Sequence, residues 1–202
     1  MSRLSAQDKA QRRTLLVVLI LNALLFAVLG VGGIVADSSA LIANALDNAS
    51  DSIVYLISFL AVGRASLWKR RAARLAGILL LVFATAVMID VGRRWLVGAE
   101  PYGSTMMILA LVAAVVNLIC LRLISRARNK DVNMRAAQTF SFNDFASNGG
   151  ILLAGGIVIW LEQSWPDLAV GFIVAALAVK GGLDILKDAK QEEAARSPAG
   201  VR

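Results

Sequence analysis

Residues 40–62 read Ala40-Leu-Ile-Ala-Asn-Ala-Leu-Asp47-Asn-Ala-Ser-Asp51-Ser-Ile-Val-Tyr-Leu-Ile-Ser-Phe-Leu-Ala-Val62. The stretch is long and apolar enough for a transmembrane helix, which needs about 20 residues. An Asp at the centre of such a helix costs roughly 2.5–3.5 kcal/mol on insertion scales. The four-residue spacing places Asp47 and Asp51 on one helix face, where repulsion keeps a proton on one of them unless a cation lies between them. The stretch therefore predicts a membrane helix that carries a cation pathway.

The composition of the whole chain agrees with a membrane protein. Hydrophobic residues make up 58% of the 202 residues, and the mean hydropathy is +0.69, values typical of proteins with several membrane spans. The net charge of +7 does not indicate nucleic-acid binding, because the basic residues lie between apolar runs and form no face with interleaved aromatic residues. The chain has no histidine and a single cysteine, Cys120, which we expect to be a core residue. We expect no enzymatic activity and no resident cofactor.

Six apolar stretches of spanning length follow one another along the chain. They cover roughly residues 14–35, 39–62, 75–97, 104–124, 136–161 and 166–186. The predicted fold is an all-α membrane protein, a bundle of six transmembrane helices. Residues 1–13 are expected to form a cytoplasmic N-terminal tail, residues 14–190 the six-helix transport domain, and residues 191–202 a short cytoplasmic tail.

The basic residues predict the orientation of the bundle. All but Arg93 and Arg94 of the 21 Lys and Arg residues lie at the termini or around the second and fourth connections between the spans. Because basic residues accumulate on the cytoplasmic side, both termini are expected to be cytoplasmic. For Asp90, which precedes the two arginines at helical contact spacing, we expect a local ion pair.

Three acidic residues are predicted to lie at a similar depth. At about 1.5 Å per residue over a core of roughly 30 Å, Asp47 and Asp51 lie roughly 12 and 18 Å from the outer face, and Asp144 lies roughly 14 Å from the inner face. Asn44 and Asn148 add amide oxygens to the same helix faces. Two interpretations stay open: an oxygen-rich cation site, or polar side chains that hydrogen bond between helices. For Asn117 in the fourth span we expect the second.

The order and spacing of several motifs resemble the transmembrane domain of the cation diffusion facilitator family. They are Ser39-Ala-Leu-Ile-Ala-Asn44-Ala-Leu-Asp47-Asn-Ala-Ser-Asp51, Asp90-Val-Gly-Arg93-Arg94-Trp-Leu followed by Glu100-Pro101, Asn133-Met-Arg-Ala-Ala137, Trp165-Pro-Asp167, and Leu183-Asp-Ile-Leu186. The resemblance covers about residues 14–190. It implies efflux of divalent metal ions in exchange for protons.

The resemblance also implies a metal site shared by the second and fifth helices. Asp47 and Asp51 match the ligands of helix 2, and Asp144 matches the aspartate of helix 5. The fourth ligand position falls on Phe140, which cannot coordinate a metal, so water, Ser141, Asn44 or Asn148 would have to take its place. An all-oxygen site suits Mn²⁺, and also Fe²⁺ or Mg²⁺, without excluding Zn²⁺ or Co²⁺.

The expected function is therefore divalent metal efflux by metal/proton antiport, with the metal ion and protons as substrates. The chain ends where the family has a cytoplasmic domain after helix 6, so we expect a homodimer held by the membrane helices. The expected location is the inner membrane of a bacterial cell, with several membrane passes and no nucleic-acid partner.

One alternative is a transport-inactive membrane partner or regulator related to the same family. Another is a carrier of small organic cations, which would need an aromatic-lined cavity.

Overall fold

A computed structural model describes residues 6–61, 66–126 and 132–194, and all regular structure in these ranges is helical. The six helices are α1 (Ala6–Val35), α2 (Ser39–Ala61), α3 (Ser66–Val97), α4 (Gly103–Ser125), α5 (Val132–Leu161) and α6 (Trp165–Ala194). They match the six predicted spans, and most continue beyond them at the basic end, where water can solvate the charged side chains. The all-α, six-helix fold is thereby confirmed.

The polarity of the bundle is that of a membrane protein, with apolar side chains outside and polar ones inside. Large apolar residues such as Leu24, Leu153 and Ile34 are exposed on the outer surface. Asn44, Asp51, Asn117, Asp144 and several other polar residues are buried in the interior. By length and composition, α1, α4, α5 and α6 contain segments that can cross a membrane, as far as the described residues go. Helix α2 is 23 residues long and carries Asn44, Asn48 and Asp51 among its buried residues.

Helix α2 is central, because it packs against α1, α3, α5 and α6. The largest remaining contacts join α4 to α5 and α3 to α6. Two of these helix pairs approach closely at facing glycines. A Cβ on Gly103 would lie 2.6 Å from the carbonyl oxygen of Gly155, and a Cβ on Gly77 would lie 3.1 Å from that of Gly182. Small residues of this kind allow helix backbones to touch.

The three turns that join α1 to α2, α3 to α4 and α5 to α6 meet at one end of the bundle, which we call the closed end. The backbone N–H of Tyr102 donates to the carbonyl oxygen of Ala36 at 3.0 Å and joins two of these turns. The Arg94 guanidinium donates to the carboxylate and to the carbonyl oxygen of Asp37. It also pairs with Asp90, which pairs with Arg93 as well. The ion pair predicted for Asp90 is confirmed.

The closed end also fixes where α2 begins. The Ser38 hydroxyl accepts a hydrogen bond from the Leu41 N–H at 3.1 Å, as an N-cap residue does. The Asp167 carboxylate, on the first turn of α6, accepts hydrogen bonds from the Ser38 hydroxyl at 2.5 Å and from the Ser39 and Ala40 N–H groups at 2.8 and 3.1 Å. Helix α6 thus fixes the start of α2. It thereby fixes the positions, along the bundle axis, of the acidic residues that follow on α2.

Candidate metal site

The three predicted acidic residues line a single cavity of about 370 Å³. Its walls come from α2, α3, α5 and α6, and it extends from the middle of the bundle away from the closed end, toward Asp184 and Ile185 of α6. Helix α2 contributes Asp47, Ser50 and Asp51, and α5 contributes Asp144 and Ser147.

Within the cavity, Asp47 and Asp144 make direct contact. Their carboxyl groups are hydrogen-bonded across the α2–α5 interface. Two carboxyl groups in such contact must share a proton or a cation, because two bare carboxylates repel each other. The contact shows that α2 and α5 turn these acidic faces toward one another, which the sequence alone did not establish.

Asp51 has a different partner. It is 5% exposed, and one of its oxygens accepts a hydrogen bond from the buried Tyr55 hydroxyl at 3.3 Å. Tyr55 follows it by one helical turn and packs against Cys120, Leu15 and Val18. Within the described part of the chain, no three His, Cys, Asp or Glu side chains are close enough together to hold one metal ion. In this conformation the acids therefore share a cavity, with Asp47 hydrogen-bonded to Asp144 and Asp51 to Tyr55.

The two asparagines named from the sequence are hydrogen-bonded to each other. Asn44 Nδ2 donates to Asn148 Oδ1 at 2.8 Å, and Asn148 Nδ2 donates to the carbonyl oxygen of Asp144 at 2.8 Å. Both side chains are fully buried. Hydrogen bonding between helices, the second of the two interpretations, therefore describes these amides in this conformation. A metal would bind the amide oxygens, so Asn148 Oδ1 would first have to leave this bond, whereas Asn44 Oδ1 would have to give up a longer bond of 3.5 Å from Asn48 Nδ2.

Phe140 and Ser141, which bear on the fourth ligand, lie outside the residues whose side chains the structure describes. The cavity also has two charged lining residues that the sequence analysis did not place there, Lys180 and Asp184 of α6. A signal for them was present: with Leu177 and Gly181 they follow the three- and four-residue spacing of one helix face. That spacing could not show which neighbour the face meets.

Comparison with known proteins assigns the chain to a family. Residues 15–192 match the model of the cation efflux transmembrane domain. The chain belongs to the cation efflux family. This assignment agrees with the resemblance found in the sequence motifs and with the six-helix bundle.

Several bacterial transporters are similar to this cation efflux domain. A protein of Bacillus velezensis named cadmium, cobalt and zinc/H(+)-K(+) antiporter is 28% identical over 78% of this chain and 55% of its own length. The zinc transporter ZitB of Escherichia coli is 25% identical over 85% of the chain and 59% of its own length. The metal cation efflux system protein CzcD of Cupriavidus metallidurans is 22% identical over 71% of the chain and 49% of its own length. The similarity thus spans about half to three-fifths of each relative.

Proposed function

We propose that this cation efflux domain exports a divalent metal ion from the cytoplasm in exchange for protons, through a site formed by Asp47, Asp51 and Asp144. The observation that carries the proposal is the shared cavity, which collects three intramembrane acids from two helices. Buried acids inside a membrane bundle are costly and are typical of ion pathways. The names of the similar transporters give the substrate class, metal cations, and name protons as a counter-ion for one of them.

The geometry suggests how the exchange would proceed. The carboxyl groups of Asp47 and Asp144 face each other across the α2–α5 interface, and they would share a proton while no metal ion is bound. An entering divalent cation would displace that proton and draw Asp51 away from Tyr55 to complete an oxygen-rich set of ligands. When the site faces the other side of the membrane, protons would displace the metal. Metal ions and protons thus compete for the same oxygens.

This proposal is tested by metal-dependent proton flux in proteoliposomes, with Mn²⁺, Fe²⁺, Co²⁺, Zn²⁺ and Cd²⁺ compared side by side. We expect flux with at least one metal, and a decrease of about 100-fold or more in Asp51→Asn, because the neutral amide cannot replace a charged metal ligand. Glu100→Gln is the matched control, since Glu100 is exposed at the closed end, away from the cavity. Unchanged flux in Asp51→Asn would refute the proposed site.

One alternative keeps a specific observation in its favour. Because no three acids among the described residues are close enough to hold one ion, a transport-inactive partner or regulator of the same family fits this conformation too. Absence of both metal binding and flux in the purified protein would favour that alternative. A carrier of organic cations would need an aromatic-lined cavity, but none of the described lining residues is aromatic and Phe145 is exposed on the outer surface. Phe140 and Phe142 lie outside the residues whose side chains the structure describes.

We further propose that the protein is a homodimer held by its membrane helices, that it lies in a bacterial inner membrane with both termini cytoplasmic, and that it performs transport without an enzymatic step or a resident cofactor. The inner-membrane proposal follows from the bacterial relatives. Mass measurement in lipid nanodiscs tests the dimer, and protease access to the termini in oriented vesicles tests the orientation.

A further inference from the structure

The proposed metal cavity contains one basic residue among its described lining residues, Lys180 of α6. It stands one helical turn before Asp184, which lines the same cavity. Among the described residues, the charged groups that line the cavity are Asp47 and Asp51 from α2, Asp144 from α5, and Lys180 and Asp184 from α6. A positively charged side chain is unexpected in the wall of a cavity that is proposed to bind a divalent cation.

Lys180 is not neutralised by a partner in the described part of the chain. No carboxylate there, including that of Asp184, lies within ion-pair distance of its ammonium group. The side chain is exposed, and its flexible stem carries a compact charge that can move within the cavity. Its charge is therefore not cancelled by direct contact with a described carboxylate.

The strength of this effect depends on the charge of the occupant. Coulomb repulsion from a fixed unit charge is twice as large for a divalent ion as for a proton. In general, a unit charge about 10 Å from a divalent ion, in partly aqueous surroundings, weakens the binding of that ion by about 4- to 15-fold. When one divalent ion replaces a single proton, as proposed above, the charge of Lys180 thus shifts the competition at the acids toward the proton; an exchange for two protons would leave the site charge, and this competition, unchanged.

We propose that Lys180 is an affinity-determining residue of this cavity: its positive charge weakens divalent-cation binding at Asp47, Asp51 and Asp144 and promotes release of the ion. The inference rests on the proposed metal-transport function and adds to it a residue that is not a ligand. A transporter gains from such a charge because three acids without compensation would hold a divalent ion too tightly to release it quickly.

The test compares three variants of the whole chain in detergent and in proteoliposomes. Lys180→Met removes the charge and keeps most of the side-chain volume, whereas Lys180→Arg keeps the charge. Lys187→Met removes the same charge from an exposed position on α6 that does not line the cavity. Zn²⁺ and Mn²⁺ binding is measured by calorimetry, and the maximal rate and half-saturating metal concentration are measured by flux.

We expect Lys180→Met to bind the metal about 4- to 15-fold more tightly, with a lower half-saturating concentration and a lower maximal rate. Lys180→Arg should bring the affinity back toward that of the parent, and Lys187→Met should bind like the parent. A parent that binds the metal while Lys180→Met binds equally or less tightly would overturn the inference, and so would a Lys180→Arg that behaves like Lys180→Met. A parent that shows neither binding nor flux with any of the five metals compared above would instead refute the proposed function, which keeps the two failures distinct.

Discussion

Asp167 illustrates how a single carboxylate can fix the position of a distant helix. It is fully buried at the start of α6, yet its three hydrogen-bond donors lie in Ser38, Ser39 and Ala40 at the start of α2. The first N–H groups of a helix have no partner within the helix and attract negative charge. The carboxylate of Asp167 supplies that negative charge from α6. The Ser38 hydroxyl also caps the start of α2, as its N-cap.

We expect Asp167→Ala to lower the free energy of unfolding by about 2–4 kcal/mol, because it leaves two backbone donors and a hydroxyl buried without a partner. The measurement is denaturant or thermal unfolding in detergent. Glu162→Gln serves as the control, since Glu162 is an exposed acid in the turn just before α6. Equal stability of Asp167→Ala and the parent would show that the cap contributes nothing.

Three buried asparagines show that the type of a polar residue in a membrane helix does not predict its hydrogen-bond partner. Asn44 and Asn148 join α2 to α5. Asn117 is just as buried, but neither its oxygen nor its nitrogen has a partner among the residues that the structure describes. The expectation of an interhelical hydrogen bond for Asn117 is therefore wrong within that part of the chain. Cys120, one turn later on α4, is buried as predicted.

At the scale of the helices, close approach depends on particular glycines and not on glycine in general. Gly155 of α5 lies against α4, where an added Cβ would come within 2.8 Å of Met107 and 3.0 Å of the Gly103 carbonyl oxygen. Gly150 lies on the same helix, and nothing stands within 4 Å of the position its Cβ would take. The two residues have the same backbone preference but different surroundings.

We expect Gly155→Ala to destabilise the bundle by about 1–3 kcal/mol, because the methyl group forces α4 and α5 apart. Gly150→Ala should instead be neutral or stabilising by up to about 1 kcal/mol, since alanine is the better helix former. Unfolding of the two variants under identical detergent conditions provides the comparison. Similar changes in both would mean that helix propensity, and not packing, dominates at Gly155.

At the scale of the whole molecule, the two ends of the bundle differ. The closed end joins three turns through Arg94, Asp37, Asp90 and Asp167, whereas the acid cavity extends toward the other end. Arg94 is buried and links α3 to the turn between α1 and α2. Access to the acids from the closed end would require these contacts to separate, as expected for alternating access.

The ion pairs of Arg94 can be tested through the accessibility of the closed end. Ser39→Cys supplies a probe, because Ser39 is buried there and its hydroxyl has no partner in the described residues. Adding Arg94→Met is expected to speed labelling by a membrane-impermeant maleimide roughly fivefold, equivalent to about 1 kcal/mol for an ion pair that is partly exposed. Arg93→Met is the control, because Arg93 is exposed and pairs with Asp90. Equal labelling in both variants would exclude a special role for Arg94.

The sequence by itself determined the number of helices, the family motifs, and the local pair of Asp90 with its arginines. These features follow from hydropathy, helical rise and contacts within a few residues, which need no knowledge of neighbouring helices. Only the tertiary structure decided that Asp144 touches Asp47, that Asp167 caps α2, and that Lys180 lines the acid cavity. The physical reason is that helices apolar on most faces can be rotated in lipid at little cost. Packing between residues far apart in sequence then sets which face turns inward.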